Sequence, residues 1–314
     1  MSGMNLRMLP KTRDSWTYLY VERCRVDQEG KAISLHDMNG KTPVPCASLT
    51  LLLLGPSTTI THAAVKTLSD YGCSVLWTGE GGVRMYAQGL GETRSASRLL
   101  HQTRLYADPA LRLKVVRKMY EYRFKDPLDS NLTLQQIRGK EGIRVRESYA
   151  KASRETGVAW AGRTYKRDDW KSADPINRAL SAANSCLYGV SHAAIVAAGY
   201  STGLGFVHTG KLLSFVYDIA DLYKADMTIP AAFQAVKEGE EGMESRVRRQ
   251  LRDQFKANQL LKKIVNDIDH VLDIGVMPAD SLYDTDAAAP GDLWNPDQGA
   301  VDGGHNWSQE GESE

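Results

Sequence analysis

Between positions 179 and 210 the chain carries no Asp, Glu, Lys or Arg, although a quarter of its 314 residues are charged. A stretch that free of charge is expected to be largely buried. Asn184, Gly189, His192 and several serines interrupt it, whereas a bilayer span wants about 20 dominantly apolar residues, so a buried helix of a soluble protein fits better than a membrane segment. A secretory signal is also missing, because no charged segment near the start leads into an apolar one. The expected location is cytoplasmic, with no membrane partner. Cysteine is scarce, and Cys24, Cys46, Cys73 and Cys186 show neither Cys-x-x-Cys spacing nor a paired pattern. That speaks against a zinc motif and a disulfide framework, and leaves four reduced thiols. No internal repeat occurs, which excludes a solenoid.

Positive charge is absent beyond Lys263. Residues 276–314 hold nine acids, a charge of −9 that leaves +10 on residues 1–275 of a chain whose net charge is +1. A body that basic suits a polyanionic partner, although a mixed, solvated surface gives the same number. Clustering favours the polyanion. Arg98, Arg104, Arg112, Lys114, Arg117, Lys118, Arg123 and Lys125 are interleaved with Tyr106, Tyr120 and Tyr122, the mixture of charge and stacking faces that tracks phosphates and contacts bases. The tail, rich in Gly, Asp, Pro and Ala, has too little apolar surface to order itself and reads as a disordered acidic segment.

The rest divides in two, and the expected class is α+β. Residues 1–90 read as a β-rich domain resembling a sandwich: aromatic and β-branched runs at 16–26, 32–35, 42–46 and 48–54 alternate with Gly, Pro, Asp and Asn turn signals. Thr61 is placed to cap one helix over 62–71, which Gly72 ends, and 73–78 with 83–87 form a hairpin around Gly81-Gly82. Gly89 and Gly91 mark the boundary. Residues 91–275 read as a larger, all-helical catalytic domain, with helical spacing or caps over 96–106, 110–124, 134–155, 175–198, 215–224 and 243–272. Asp174-Pro175 supplies an N-cap and a first-turn proline, and 158–170 reads as an exposed aromatic and basic loop.

The charge-free stretch delivers His208 and Lys211 just ahead of a helix for which Ser214 is the expected N-cap. Asp218 and Asp221, three apart, share one face of it. Two carboxylates near a core are costly unless a cation or hydrogen bonds compensate them, and oxygen-rich donors with one imidazole suit Mg²⁺ or Mn²⁺ better than a zinc cage. The same spacing also suits solvated helix carboxylates and a hydrogen-bonded loop histidine. A third donor is Glu141, bracketed by Gly139 and Gly142 inside a helical pattern, where each glycine costs roughly 1 kcal/mol relative to Ala. Missing side chains there admit either a bulky ligand or a crossing backbone.

Several segments in fixed order carry a resemblance. They are Gly-Pro-x-Thr-x-x-Thr-His-Ala-Ala-Val (55–65), Trp-x-Gly-Glu-x-Gly-Val-Arg-x-Tyr (77–86), Leu-Arg-Leu-Lys-Val-Val-Arg-Lys-Met (111–119), Arg-Gly-x-Glu-Gly-x-Arg-Val-Arg (138–146), Ser-Cys-Leu-Tyr-Gly-Val (185–190) and Gly-Phe-Val-His-Thr-Gly-Lys-x-Leu-Ser-Phe-Val-Tyr-Asp-Ile-Ala-Asp (205–221). Together, over roughly 15–274, they closely resemble the integrase subunit of the CRISPR adaptation complex, of the type I-E branch.

The resemblance implies an N-terminal domain used for homodimerisation and a helical domain holding Mg²⁺ or Mn²⁺. It implies insertion of short double-stranded DNA fragments, prespacers with 3′ overhangs, into a CRISPR array at its leader and repeat. A 3′-hydroxyl attacks the repeat phosphodiester, and a small partner Cas subunit bridges two dimers. Glu141, His208 and Asp221 carry over as metal ligands and Asp218 as a supporting catalytic residue. Lys211, Tyr217 and Lys224 flank that site, and Arg84, Arg138, Tyr165, Tyr188 and Arg248 match positions that handle DNA. Two segments depart from the family: the strand that places an aromatic wedge against the duplex end reads Leu19-Tyr20-Val21-Glu22-Arg23, and the basic pair near Arg248 is shifted, with Ser245 followed by Arg246. Two other functions use the same residues. One is a metal-dependent nuclease acting on branched repair intermediates, and the other a DNA-binding scaffold without catalysis.

Overall fold

Four consecutive leucines join the strands of this molecule to its helices. The computed structural model describes residues 18–82, 84–89, 96–163, 174–274, 293–297 and 299–301. Strand β5 (Leu51–Leu54) lies between two parallel neighbours, β1 (Tyr18–Val21) and β7 (Ser74–Thr78), and β8 (Met85–Gly89) closes the sheet antiparallel to β7. A parallel strand covered on both faces reads as an unbroken apolar run. Because successive side chains point to opposite faces, Leu52 and Leu54 enter one core and Leu51 and Leu53 another. The sheet is therefore a wall shared by two cores.

The first core is filled from a second four-stranded sheet and one helix. Strands β2 (Arg25–Glu29), β3 (Ala32–Asp37), β4 (Gly40–Pro45) and β6 (Thr59–Ile60) are ordered β4-β3-β2-β6. They contribute Val26 and Ile33, and helix α1 (His62–Asp70) contributes Ala64 and Leu68, all fully buried. The Thr61 hydroxyl accepts from the Ala64 N–H, the expected cap. The 16–26 run differs from expectation: the chain leaves β1 at Val21, passes Arg23 at φ 53°, and enters β2 in the other sheet. Pairing is non-local, so a uniform β-forming run does not reveal where its partner sheet changes.

The second core belongs to α2 (Ser97–Ala107), α3 (Pro109–Phe124), α4 (Leu134–Thr156), α5 (Pro175–Ala197), α6 (Ser214–Ala220), α7 (Thr228–Lys237), α8 (Met243–Ala257) and α9 (Leu260–Leu272). Helix α5 is free of charge from Ala179 onward because α6, α7, α8 and α9 all pack against it. The expected single helix over 243–272 is two. Gln259, at φ 46°, breaks it, which lets the Val247, Leu251 and Phe255 row of α8 and the wider apolar face of α9 both meet the core. Helix α7 was not expected from the sequence, and α6 stops at Ala220, with Lys224 in the turns beyond it. Among the described residues no helix is long and apolar enough to cross a membrane.

The basic cluster on α2 and α3 is for the most part internal scaffolding. Arg98 pairs with Asp269 and donates to the Ala198 carbonyl, Arg112 donates to the Gly205 and Phe206 carbonyls, and Arg117 to those of Asp129 and Leu132. Tyr122 and Tyr223 both donate to Asp267, and Lys263 bridges Tyr122 and Asp267. A guanidinium aimed at a carbonyl and one aimed at a phosphate look alike in sequence. The disordered-tail expectation falls mostly outside the described residues; within that segment β9 (Leu293–Asn295) pairs antiparallel with β10 (Gly299–Val301). Tyr165 and most of the 158–170 loop also lie outside them.

Candidate active site

The site begins with a buried carboxylate wrapped by backbone. Asp218 on α6 is fully buried. Its Oδ2 accepts from the N–H groups of Phe206 (2.6 Å) and Val207 (3.0 Å), and its Oδ1 from the His208 N–H (2.9 Å). Gly205 permits this wrapping, since a Cβ there would run into the His208 carbonyl and the Ser214 backbone. Ser214 is the first residue of α6 rather than its N-cap; that position is Leu213, and the Ser214 Oγ accepts instead from the Lys211 N–H. The substitution still ties the His208 loop to the helix. The fourth contact to Asp218 comes from His208 Nδ1, at 2.7 Å. A proton on Nδ1 leaves Nε2 with its lone pair, the arrangement found in metal-binding histidines whose other nitrogen meets a carboxylate.

That Nε2 faces Asp221, at 3.8 Å from Oδ2. Glu141, on α4, is linked to Asp221 through a shared cation. The Arg123 guanidinium spans the two carboxylates, 3.5 Å from Glu141 Oε1 and 3.7 Å from Asp221 Oδ2. Arg144, one turn beyond Glu141, forks onto it at 2.7 and 2.9 Å, and Lys224 reaches Asp221 Oδ1 at 2.5 Å. Burial alone would raise the Asp221 carboxyl, but Lys224 and Arg123 outweigh it and hold it below the usual range. Lys224 is affected in the complementary way: burial would lower its ammonium, and the Asp221 charge holds it above the ordinary lysine value. Arg144 is likewise raised by its hydrogen bonds to Glu141.

Among the described residues no three His, Cys or carboxylate groups stand close enough to share one ion. The donor set nevertheless suits a hard divalent cation, with two carboxylates and one imidazole nitrogen on either side of a guanidinium. Among the described residues, nothing outside the local backbone of α4 lies within 4 Å of where a Cβ would stand at Gly139 or Gly142. Within the described chain no crossing backbone accounts for those glycines, and they leave the surface of α4 open on the two positions that flank Glu141.

The flanking residues are brought together only in part. Tyr217 and Tyr188 meet edge to face at 5.1 Å, His208 stands 5.9 Å from the Tyr217 ring, and Lys224 Nζ lies 4.9 Å over Tyr188. These side chains form one wall beside Asp221. Lys211 is exposed in the His208 loop, and Arg138 is exposed on α4 three residues before Glu141. Arg84, exposed in the β7–β8 hairpin, and Arg248, 3.8 Å from Glu244 on α8, belong to another region; Arg248 lines a small recess with Glu80, Arg249 and Arg252. Tyr20 is held inward, its hydroxyl donating to Glu22 at 2.5 Å and accepting from the Gly81 N–H at 2.8 Å. Arg144 was legible as an i+3 partner of Glu141. Arg123 was visible only as one cation in a run of eight.

Comparisons with known proteins lead to one family. The family model described as CRISPR associated protein Cas1 matches residues 17–129 and 122–264. The CRISPR-associated endonuclease Cas1 2 of Thermus thermophilus is 54% identical over 304 residues, covering 96% of this chain and 93% of its own length. The CRISPR-associated endonuclease Cas1 of a Clostridium species is 45% identical over 306 residues, covering 97% of this chain and all of its own length. A crystal structure of TtCas1 bound to DNA superposes with a TM-score of 0.78 at 55% identity, over 84% of this chain and 99% of that one.

Proposed function

The chain belongs to the Cas1 family of CRISPR-associated endonucleases, and from that premise we propose that it is a divalent-metal-dependent DNA integrase of the type I-E branch. It inserts short foreign DNA fragments as spacers into a CRISPR array. The observation that supports this reading is the approach of Glu141 and Asp221 to Arg123 and of His208 to Asp221, with His208 Nδ1 held by Asp218 so that Nε2 is turned toward Asp221. The residues fit Mg²⁺ or Mn²⁺, which Glu141, His208 and Asp221 would hold. Such an ion supplies positive charge at the phosphoryl oxygen and at the departing oxygen.

The reaction is a transesterification. The 3′-oxygen of the incoming strand forms a bond to phosphorus at the repeat edge, and the phosphorus bond to the departing 3′-oxygen breaks. The incoming hydroxyl gives up a proton and the departing oxygen takes one from solvent, so no cofactor is consumed. Lys211, Lys224, Tyr217 and Tyr188 border the site and hold the phosphodiester and its neighbouring sugar and base. Arg138 extends the track along α4, and Arg84 and Arg248 bind backbone further off. Tyr165 is assigned to DNA by resemblance alone.

In this reading the protein works as a homodimer through its β-rich half, with a small partner Cas subunit joining two dimers. The competing functions separate by product. A short duplex with 3′ overhangs, incubated with a plasmid bearing leader and repeat, is covalently joined by an integrase, is only cut by a nuclease, and is bound unchanged by a scaffold. Loss of joining in Glu141→Ala with DNA binding retained supports the integrase. Joining at the wild-type rate in that variant removes the metal assignment.

A further inference from the structure

Three cations neutralise the two carboxylates, and they are not equivalent. The side chains of Arg144 and Lys224 are 24% and 27% exposed, and each makes short hydrogen bonds to its carboxylate. Either can swing toward solvent when another cation takes its place. The Arg123 side chain is 4% exposed, packs over the Tyr120 ring at 5.1 Å and donates to the Asp218 carbonyl at 3.5 Å. Among the described residues its buried Nε finds no hydrogen-bond partner, so the group sits there without full compensation from them. It stands beside both carboxylates at 3.5 and 3.7 Å, too far for a good hydrogen bond to either.

Cores accept a buried guanidinium when nearby negative charge compensates it. Here that charge is the pair of carboxylates assigned above to the ion. We propose that Arg123 is the resident cation of the site: it keeps Glu141 and Asp221 facing one another when no divalent ion is present, and it competes with the ion for them. The fold then does not depend on the metal, and the ion is held loosely enough to exchange. Arg123 is a positioning residue and touches no reacting atom. The inference rests on the metal reading of Glu141, His208 and Asp221.

Linkage gives the test. Removing Arg123 leaves Glu141 and Asp221 with only Arg144 and Lys224 to offset them in the ion-free protein and with the ion as well in the loaded one, so it must tighten ion binding as it lowers ion-free stability. The full chain, as wild type, Arg123→Met and Arg123→Lys, is titrated with Mn²⁺ alone while free Mn²⁺ is read by electron paramagnetic resonance. Melting temperatures are taken in chelator and in saturating Mn²⁺. Arg123→Met is expected to bind Mn²⁺ about tenfold more tightly than wild type. It should melt lower in chelator and gain more on adding Mn²⁺, by at least about 3 °C. Arg123→Lys, which keeps the charge, should bind within about threefold of wild type.

Equal Mn²⁺ affinity in wild type and Arg123→Met overturns the proposal and assigns Arg123 to packing. So does an Arg123→Met protein that stays unfolded in chelator and is not recovered by refolding in Mn²⁺. A wild type that binds no Mn²⁺, or binds it equally after Glu141→Ala, removes the metal reading instead. The two failures are thus distinguishable.

Discussion

The Nδ1 of His208 stands 2.7 Å from Oδ1 of Asp218, and this contact decides which imidazole nitrogen faces Asp221. Asp218 is fully buried and also accepts three backbone N–H groups. It therefore sets both the loop and the ring. Asp218→Asn offers one oxygen to donors that now share two, and its amide opposes them. It should cost about 3 kcal/mol of stability, the scale for breaking a buried charged network. Strand transfer should fall about 10²-fold or more through a misoriented His208. Denaturant unfolding and a transfer assay at equal folded concentration check both, and wild-type transfer would show that the contact does not position the imidazole.

Glu141→Ala, His208→Ala and Asp221→Ala should each lower strand transfer by roughly 10² or more, the scale on which lost charge stabilisation acts. DNA affinity should change little, since these side chains are not the cations that meet phosphates. A gel-shift titration beside the transfer assay separates the two, and three unimpaired variants would remove the site assignment.

Gly142→Ala and Gly142→Leu should act in opposite senses. Among the described residues nothing within 4 Å obstructs a Cβ at Gly142, so alanine should stabilise the free protein by about 0.5–1 kcal/mol through helix propensity. Leucine projects into the space beside Glu141 and should slow strand transfer with folding unharmed. A Gly142→Leu enzyme as fast as wild type would mean that no ligand passes that face of α4.

Stability should hold a plateau and fall at both ends of the pH range. Asp221 is depressed, so its contribution is present above the unfolded carboxylate value of about 3.9 and is lost as pH falls through the lower folded value. Lys224 and Lys263 are raised, as are the part-buried Tyr122 and the buried Tyr223, whose hydroxyls are bonded to Asp267. Their contributions are complete below about pH 10 and are lost as pH climbs through the folded values. Tyr223→Phe should be less stable at pH 7 yet lose less between pH 10 and 11. Melting curves across that interval decide it, and a parallel decline in both proteins counts against the Asp267 cluster.

DNA affinity should decline log-linearly with salt between about 50 and 200 mM. Arg84→Ala and Arg248→Ala should each weaken binding with little dependence on sequence and lower the salt slope by about 1. Affinity unmoved by salt would oppose the nucleic-acid function as a whole.

Local pattern alone determined much of this protein. The charge-free stretch became the central helix α5, the Thr61 and Asp174 caps stand where their side chains place them, and the β-rich and helical portions follow in the order read. The spacing of Asp218 and Asp221, and the motif holding His208, brought three candidate site residues within one loop, helix α6 and its C-cap. Tertiary structure decided what local pattern does not encode. Whether a run of β-formers is one strand or two depends on partners distant in the chain, as Tyr18–Val21 and Arg25–Glu29 show by joining different sheets. Whether an arginine faces phosphate or carbonyl depends on what packs against it, and for Arg98, Arg112 and Arg117 that is the protein's own backbone. The meeting of Glu141 with Asp221, eighty positions apart in sequence, across Arg123 arises only when α3, α4 and α6 close on one core, because electrostatic contacts act through space and leave no periodicity to read.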